Sequence, residues 1–319
     1  MRIQTPSRLH FGLLGWGPTA TRQFGGIGLM INAPGIELLV EPASSWLIQG
    51  PHAARVGKLI EHLQEKARDA GVTLPPARIH IVAAPPEHVG LGVGTQICMA
   101  VARAVLEFGG RDELSVDDLA RWTGRGRRSG IGLHGFRHGG LVVDGGSRNE
   151  ADIPPLLARL PFPEHWSILI VRPPGESGLH GPDENRAFAS LPPCSQTVTD
   201  SLCRLVLLEI LPAVVESDLP AFGWALGELQ AHVGACFASA QGGIYATDLA
   251  SRIVAELRNL GLVGVGQSSW GPILYAFSAR QEHELTLLAK QLRQQFGLDK
   301  QSVFFTRAAN HGARFVFDD

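Results

Sequence analysis

The stretch that most constrains the fold covers residues 86–96 and carries glycine at three alternate positions. Residues 79–82, just before it, are short and β-prone, which predicts a strand. Residues 97–108, just after it, are apolar on nearly every face, which predicts a buried helix. Glycine lets backbone N–H groups approach a ligand closely, and a helix N-terminus adds partial positive charge. The pattern predicts a phosphate-binding turn, with tight packing as the alternative.

Length and charge limit the classes of protein to consider. The chain has 319 residues and is 45% hydrophobic, enough for one large or two medium domains. The formal net charge of −2 gives no global basic field, so nucleic acid is not expected as a partner. The sequence contains no run of roughly 18 apolar residues and no apolar N-terminal signal region. We therefore expect no membrane association and a cytoplasmic location.

The N-terminal segment predicts a strand with one polar face. Over residues 1–15, alternation places Arg8 and His10 on one face and Leu9 and Phe11 on the other. Two potential cations two residues apart could bind an anionic ligand. A solvated, exposed strand face is the alternative.

A second cationic cluster lies in residues 125–132, where Arg125, Arg127 and Arg128 stand among glycines and Ser129. Guanidinium groups beside flexible residues can clamp phosphate oxygens while the backbone supplies N–H donors. A solvated basic loop is the alternative. We favour the clamp because of the glycines.

Two later stretches also carry polar groups. Residues 262–272 alternate glycines with small hydroxyls, which indicates donors around an anion or a sugar, or else a plain hairpin turn. Residues 172–185 predict a Pro/Gly-rich loop with His180, Asp183 and Glu184. Its carboxylates could hold Mg²⁺, and a solvated surface loop is the alternative.

The domain boundary is predicted from proline content. Residues 150–164 contain four prolines, a composition typical of a linker. Strands and helices are predicted on both sides of it. We therefore expect an α+β protein with domains at residues 1–160 and 161–319.

Three stretches, residues 5–8, 90–92 and 264–271, of which the last two carry glycine, are similar in order and wording to the three motifs of the GHMP kinase superfamily. The similarity spans almost the whole chain. Within the superfamily, five segments resemble the β-ribofuranosylaminobenzene 5'-phosphate synthase family: residues 8–13, 90–96, 127–132, 138–140 and 267–272.

This resemblance implies a fold and an activity. The fold would be a two-domain GHMP-kinase-like fold, with an N-terminal ribosomal-protein-like α+β domain that binds phosphate and a C-terminal ferredoxin-like domain. The family condenses 5-phosphoribosyl-1-pyrophosphate with 4-aminobenzoate, or with 4-hydroxybenzoate in some members. The reaction releases CO₂ and pyrophosphate and belongs to tetrahydromethanopterin biosynthesis. The resemblance implies a pentosyltransferase that uses Mg²⁺ and no ATP, and it allows a homodimer.

Departures from the kinase pattern favour a synthase. Where GHMP kinases carry two serines, this chain has Val93 and Gly94, and the position of the kinase aspartate is Gly132. Val93 also replaces a serine expected in the synthase family. The alternatives are an ATP-dependent small-molecule kinase of the GHMP family and a catalytically silent sensor of phosphorylated ligands.

The resemblance and the residues together predict a site. We expect Arg8, His10, Arg127 and Arg128 to act in catalysis. Arg8 and His10 would bind the arene carboxylate or the ribose 5'-phosphate, and the two later arginines would stabilise the departing pyrophosphate. The predicted substrate-binding residues are Gly90, Leu91, Gly92, Val93, Gly94, Thr95, Gln96, Ser129, Gly130, Gly266, Gln267, Ser268 and Ser269.

Overall fold

The computed structural model describes residues 1–111, 114–149, 151–175, 178 and 181–317, without the side chains of residues 182, 183 and 185. The strands are β1 (Arg2–Gly15), β2 (Phe24–Pro42), β3 (Leu47–Gln49), β4 (Ala77–Ala83), β5 (Leu141–Asp144), β6 (Leu156–Leu160), β7 (Ser167–Val171), β8 (Val263–Gln267), β9 (Leu274–Ser278), β10 (Val303–Thr306) and β11 (Arg314–Val316). The helices are α1 (Ala53–Asp69), α2 (Val93–Phe108), α3 (Val116–Thr123), α4 (Ile131–His138), α5 (Gly181–Ser190), α6 (Gln196–Leu205), α7 (Leu211–Glu216), α8 (Leu219–Gln241), α9 (Asp248–Asn259) and α10 (Glu282–Phe296). A π-helical segment, Val206–Ile210, joins α6 to α7.

The first sheet has the strand order β11-β1-β2-β4-β3, with β5 added to β2 and β6 to β5. Its pairs are antiparallel apart from β3 with β4. The long strand β2 pairs with β5 through residues 26–29 and with β4 through residues 37–42. In β1 the register shifts between His10 and Gly12. Such a shift locally changes the direction of the side chains that follow it along the strand.

The second sheet has the order β10-β7-β9-β8, and its pairs are antiparallel. Numbered along this half of the chain, the order is 4-1-3-2, and α10 connects the last two strands, as in a ferredoxin-like sheet. The predicted α+β fold with a ferredoxin-like second half is therefore confirmed. The predicted boundary at residue 160 stays a prediction. The last strand, β11, lies in the first sheet beside β1.

Aromatic packing joins the two sheets. The ring centroid of Phe11 on β1 lies 5.1 Å from that of Tyr275 and 6.2 Å from that of Phe277, both on β9. Phe222 on α8 packs 5.0 Å from Phe277. These rings are fully buried, and burying such a side chain stabilises a fold by roughly 1.5–3 kcal/mol. This core fixes β1 against the second sheet.

The predicted strand at residues 79–82 lies within β4, and the predicted helix at residues 97–108 lies within α2. The loop predicted for residues 172–185 is wrong at its end, because α5 begins at Gly181. Proline at the second position of a helix needs no intrahelical N–H bond, so Pro182 is compatible with that start. Of the described residues, none forms a helix with the length and apolar content needed to cross a bilayer.

Candidate active site

A cavity of about 1080 Å³ opens between the first sheet, α5, α8 and the loop after β8. Its walls include the polar face of β1, the arginine-rich loop before α4, and residues 267, 269 and 270. A volume of this size accommodates a substrate larger than a single sugar phosphate. The cavity is our candidate active site.

Residues 8–10 of β1, the turn before α2 and the loop after β8 meet beside this cavity. The N–H of Arg8 donates to the carbonyl oxygen of Leu91 at 2.9 Å. The N–H of His10 donates to Ser268 Oγ at 3.0 Å, and the Ser268 hydroxyl donates to the carbonyl oxygen of Gly90 at 2.6 Å. One serine hydroxyl therefore joins β1, the turn before α2 and the loop after β8.

Glycine is required where these stretches touch. Gly90 and Gly92 have φ angles of 96° and 69°, in the left-handed region that side chains rarely adopt. A Cβ at Gly90 would overlap the carbonyl oxygen of Ser268, and one at Gly92 would lie 2.9 Å from Arg8 Nε. The absence of side chains thus brings the turn against the guanidinium of Arg8.

The N-terminus of α2 faces the guanidinium of Arg8. Gly92 is its N-cap, and within the described chain no side chain caps the helix. The N–H of Thr95 donates to the Gly92 carbonyl oxygen at 3.1 Å, so the N–H groups of Val93 and Gly94 are the ones without a partner inside the helix. Thr95, in the first turn, lines the cavity. Arg8 Nε is buried and meets no hydrogen-bond partner among the described residues. A buried donor beside a helix N-terminus indicates an anion site.

The cavity carries an excess of positive charge. Its described lining includes Arg8, Arg125, Arg127, Arg128 and Arg148, but the only carboxylate in that lining is Glu184. Burial lowers the pKa of Arg8 to about 10, and nearby Glu184 opposes this shift, so Arg8 stays protonated at neutral pH. Arg128 forms a two-pronged pair with Glu184, at 3.1 and 3.2 Å. This arrangement suits a polyanionic ligand.

A buried polar chain supports the arginine loop. His10 Nε2 lies 3.1 Å from Ser129 Oγ, and Ser129 Oγ lies 3.3 Å from Asp144 Oδ2. The N–H of Gly130 donates to Asp144 Oδ2 at 2.8 Å, and that of Gly146 donates to Asp144 Oδ1 at 2.9 Å. Asp144, at the end of β5 and fully buried, therefore holds the start of α4 against β1.

The electrostatics of this chain favour a neutral His10. Burial, and then the charge of Arg8, lower the pKa of His10 well below 6.5. Burial raises the pKa of Asp144, whereas N–H donors from Gly146 and Gly130 and the Ser129 hydroxyl act in the opposite direction. With the Ser129 hydroxyl donating to Asp144, Ser129 Oγ accepts from His10 Nε2–H, which leaves Nδ1 as the acceptor of the ring.

We expect the buried His10 to make stability depend on pH. Below pH 6.5 the unfolded chain takes up a proton at His10 while the folded chain does not, because its pKa there is lowered. The free energy of unfolding should therefore fall by up to about 1.4 kcal/mol per pH unit as pH drops below 6.5. Urea unfolding of the wild type and of His10→Asn between pH 5 and 8 measures this contribution as the difference between the curves. Parallel curves would contradict it.

Replacing Asp144 with asparagine should lower the free energy of unfolding by about 1–3 kcal/mol. Asparagine keeps one acceptor oxygen, but its NH₂ group would face an N–H or hydroxyl donor that Asp144 now satisfies. Urea unfolding at pH 7 is the measurement. The exposed Asp200→Asn on α6 is the matched control, with an expected change below about 0.5 kcal/mol. Equal stability of the two variants would show that Asp144 does not support the loop.

The cavity also has an aromatic wall. Phe188 on α5 makes edge-on contacts with Phe24, Phe237 and Trp270, with centroids 5.9, 5.9 and 5.4 Å away. Phe237 on α8 packs 4.7 Å from Trp270. The guanidinium of Arg128 lies 4.7 Å from the centroid of Phe188. The cationic and aromatic surfaces therefore meet at Arg128.

The structure divides the predicted site residues into two groups. Those that line the cavity are Arg8, His10, Thr95, Arg127, Arg128, Ser129, Gln267 and Ser269. The others are not among the described lining residues: Gly90, Leu91, Gly92, Val93, Gly94, Gln96, Gly130, Gly266 and Ser268. Within the predicted phosphate turn, Thr95 thus presents its side chain to the cavity, and Gln96 instead donates to the Gly132 carbonyl oxygen at 2.8 Å. The substrate contacts of both groups stay predictions.

Sequence reasoning did not select Asp144 or the aromatic wall as parts of the site. An aspartate at the end of a predicted strand, followed by two glycines, was the available signal for Asp144. Phe24, Phe188, Phe237 and Trp270 come from four separate segments and form no local motif. Only the tertiary structure brings them together.

The donor set fits magnesium only as a companion of a substrate. In the described part of the chain, no group of three or more His, Cys, Asp or Glu residues is placed to hold a metal ion. Glu184 offers one carboxylate to the cavity; His180 lies outside the described residues, as does the side chain of Asp183. Mg²⁺ commonly binds through one or two carboxylates together with substrate phosphates. The residues therefore fit an ion held by a diphosphate and by Glu184, whose two oxygens would be shared with the guanidinium of Arg128.

The comparisons with solved structures support the fold. Phosphomevalonate kinase from Streptococcus pneumoniae matches with a TM-score of 0.68 and 13% identity, covering 97% of this chain and 99% of that one. Mevalonate diphosphate decarboxylase from Staphylococcus aureus matches with a TM-score of 0.62 and 16% identity, covering 99% of both chains. The family model for the GHMP kinases N terminal domain matches residues 54–141. These similarities establish a GHMP-kinase-like fold.

The matches in sequence identify a narrower family than the matches in structure do. Beta-ribofuranosylphenol 5'-phosphate synthase from Methanothermobacter thermautotrophicus is 33% identical over 293 residues, covering 86% of this chain and 87% of its own. The protein of that name from Archaeoglobus fulgidus is 36% identical over 242 residues, covering 72% and 75%. That from Methanocaldococcus jannaschii is 30% identical over 304 residues, covering 88% and 90%. The chain belongs to the β-ribofuranosylphenol 5'-phosphate synthase family within the GHMP superfamily.

Proposed function

We propose that this protein is a decarboxylating pentosyltransferase. It transfers the phosphoribosyl group of 5-phosphoribosyl-1-pyrophosphate to 4-hydroxybenzoate, with 4-aminobenzoate as the alternative acceptor, in tetrahydromethanopterin biosynthesis. The observation that carries the proposal is a single cavity with an arginine-rich surface and an aromatic surface. The relatives are named for a ribofuranosylphenol product, which favours the hydroxylated acceptor.

The arginine-rich surface suits departure of the pyrophosphate. As the bond from ribose C1 to the diphosphate oxygen breaks, positive charge develops on the sugar and negative charge on the leaving group. Arg127 and Arg128 line the cavity. The half-buried guanidinium of Arg128, held by Glu184, is fixed where it can stabilise that negative charge, and the exposed Arg127 adds further positive charge. Arg8, whose buried Nε meets no partner in the part of the chain that the structure describes, lies beside the N-terminus of α2 and extends the same surface. Mg²⁺ bound to the diphosphate and Glu184 would add further charge neutralisation.

Carbon–carbon bond formation then needs no protein nucleophile. The ring carbon that carries the carboxylate attacks ribose C1, since the para hydroxyl or amino group makes that carbon electron-rich. The bond from this carbon to the carboxylate breaks, its electron pair returns to the ring, and CO₂ leaves. The task of the protein is to hold the ring and the sugar in contact and to limit attack by water.

The proposal is tested by following the substrates without added ATP. Purified protein with Mg²⁺, phosphoribosyl pyrophosphate and either benzoate is analysed by mass spectrometry, and carboxyl-labelled acceptor reports CO₂. We expect equal amounts of ribosylated product, CO₂ and pyrophosphate. Formation of ADP from ATP in the presence of a hydroxylated acceptor would instead indicate a kinase. Tight binding of phosphoribosyl pyrophosphate without any turnover would indicate a sensor.

A further inference from the structure

The aromatic wall has a shape and composition that the cationic ligand site does not explain. Phe24, Phe188, Phe237 and Trp270 come from the start of β2, from α5, from α8 and from the loop after β8. Their rings meet edge to face beside the cavity. Phe24 and Phe188 are only half-buried, so part of their apolar ring surface faces the cavity. Leaving apolar surface in contact with water costs about 25 cal/mol per Å² of free energy. Convergent apolar surface inside a cavity is typical of a ligand subsite.

The backbone at Phe24 supports a ligand-binding role for this wall. Its φ angle is 70°, in the left-handed region that is unfavourable for a bulky residue. Backbone strain of this kind costs about 1–3 kcal/mol and concentrates at ligand sites. Here the strained residue is one that presents its ring to the cavity.

Arg128 marks the junction between the two surfaces. One side of its guanidinium lies over the ring of Phe188, 4.7 Å from the centroid, and its nitrogens pair with Glu184. Arg125 donates to Cys98 Sγ on α2 at 3.4 Å, and Arg8 lies at the N-terminus of that helix. The cationic surface of the cavity therefore includes arginines beside α2 and ends at Arg128, next to α5. The apolar surface begins there.

Resting on the proposed function, we propose that the benzene ring of the acceptor binds against Phe24, Phe188, Phe237 and Trp270, with its carboxylate-bearing carbon toward Arg128. The chemistry determines this orientation. The carbon that loses CO₂ must touch ribose C1, whose diphosphate lies with the arginines near α2. The para substituent then points away from Arg128, along the aromatic wall. Edge-on aromatic contacts hold such a ring with a defined tilt.

Equilibrium binding tests the location of the acceptor ring without requiring turnover. Calorimetry measures the affinity for 4-hydroxybenzoate in the presence of ribose 5-phosphate and pyrophosphate, a pair that cannot transfer the sugar, and separately the affinity for pyrophosphate. Phe188→Leu and Phe237→Leu should each weaken 4-hydroxybenzoate binding about tenfold. Both should change pyrophosphate binding less than about twofold. Arg127→Gln, at an exposed cavity residue, should give the reverse pattern.

Controls separate the inference from loss of fold and from failure of the proposed function. Trp224→Leu changes an exposed aromatic residue on the same helix as Phe237 and should leave both affinities unchanged. Thermal unfolding shows whether each variant is folded. If Phe188→Leu disturbs Arg128, the Phe237→Leu variant alone provides the binding test. The inference is overturned if the two phenylalanine variants bind 4-hydroxybenzoate like the wild type, or if the wild type does not bind it in the presence of ribose 5-phosphate and pyrophosphate. Absence of product despite this binding pattern would overturn the proposed reaction and leave the arene subsite standing.

Discussion

Replacing Arg128 with alanine is expected to lower turnover about 10²-fold, the loss typical of removing one group that stabilises developing charge. Arg128 lines the cavity at the junction of its cationic and aromatic surfaces. Its removal takes away a forked donor and leaves the Glu184 carboxylate without the guanidinium that now pairs with it. The measurement is the initial rate of CO₂ release from labelled 4-hydroxybenzoate at saturating phosphoribosyl pyrophosphate.

Two variants make the Arg128 result interpretable. Arg128→Lys keeps the charge but loses the planar fork, so a rate between those of the wild type and the alanine variant is expected. Arg121→Ala removes an exposed arginine on α3 that pairs with Asp118, and its rate should stay within about twofold of the wild type. A folded Arg128→Ala protein with unchanged turnover would exclude this residue from leaving-group stabilisation.

Local features of the sequence were sufficient to predict much of the secondary structure. The β-prone residues 79–82 lie in β4, and the apolar residues 97–108 lie in α2. Their patterns reflect interactions within a few residues of each other. The start of α5 was missed because a Pro/Gly-rich segment favours a loop in local terms, although proline is well tolerated at a helix start.

The site could be predicted only in part because it depends on long-range register. Arg8 and His10 share the polar face that simple alternation predicts, and both line the cavity. Asp144 reaches Ser129 because β5 pairs with β2, an arrangement with no local sequence signal. The pairing of β11 with β1 similarly joins residues more than 300 positions apart. Tertiary pairing, rather than propensity, determines these contacts.

Replacing Gly90 with alanine should lower the free energy of unfolding by about 3 kcal/mol and weaken pyrophosphate binding at the same time. The left-handed φ of 96° alone costs a side chain about 1–3 kcal/mol. The new Cβ would also overlap the carbonyl oxygen of Ser268, a backbone atom that cannot turn aside as a side chain can. Relief of the overlap must separate the turn before α2 from the loop after β8. Urea unfolding and calorimetry with pyrophosphate measure the two effects.

A second glycine provides the control for Gly90. Gly57 lies within α1, and a Cβ there meets nothing within 4 Å. Gly57→Ala should therefore raise the free energy of unfolding by about 0.5–1 kcal/mol, because alanine restricts the unfolded chain and suits a helix interior. If Gly90→Ala were as stable as the wild type, the close contact between Gly90 and Ser268 would not hold the turn. The joining of β1, α2 and the loop after β8 through one serine hydroxyl would then lose its role in shaping the anion site.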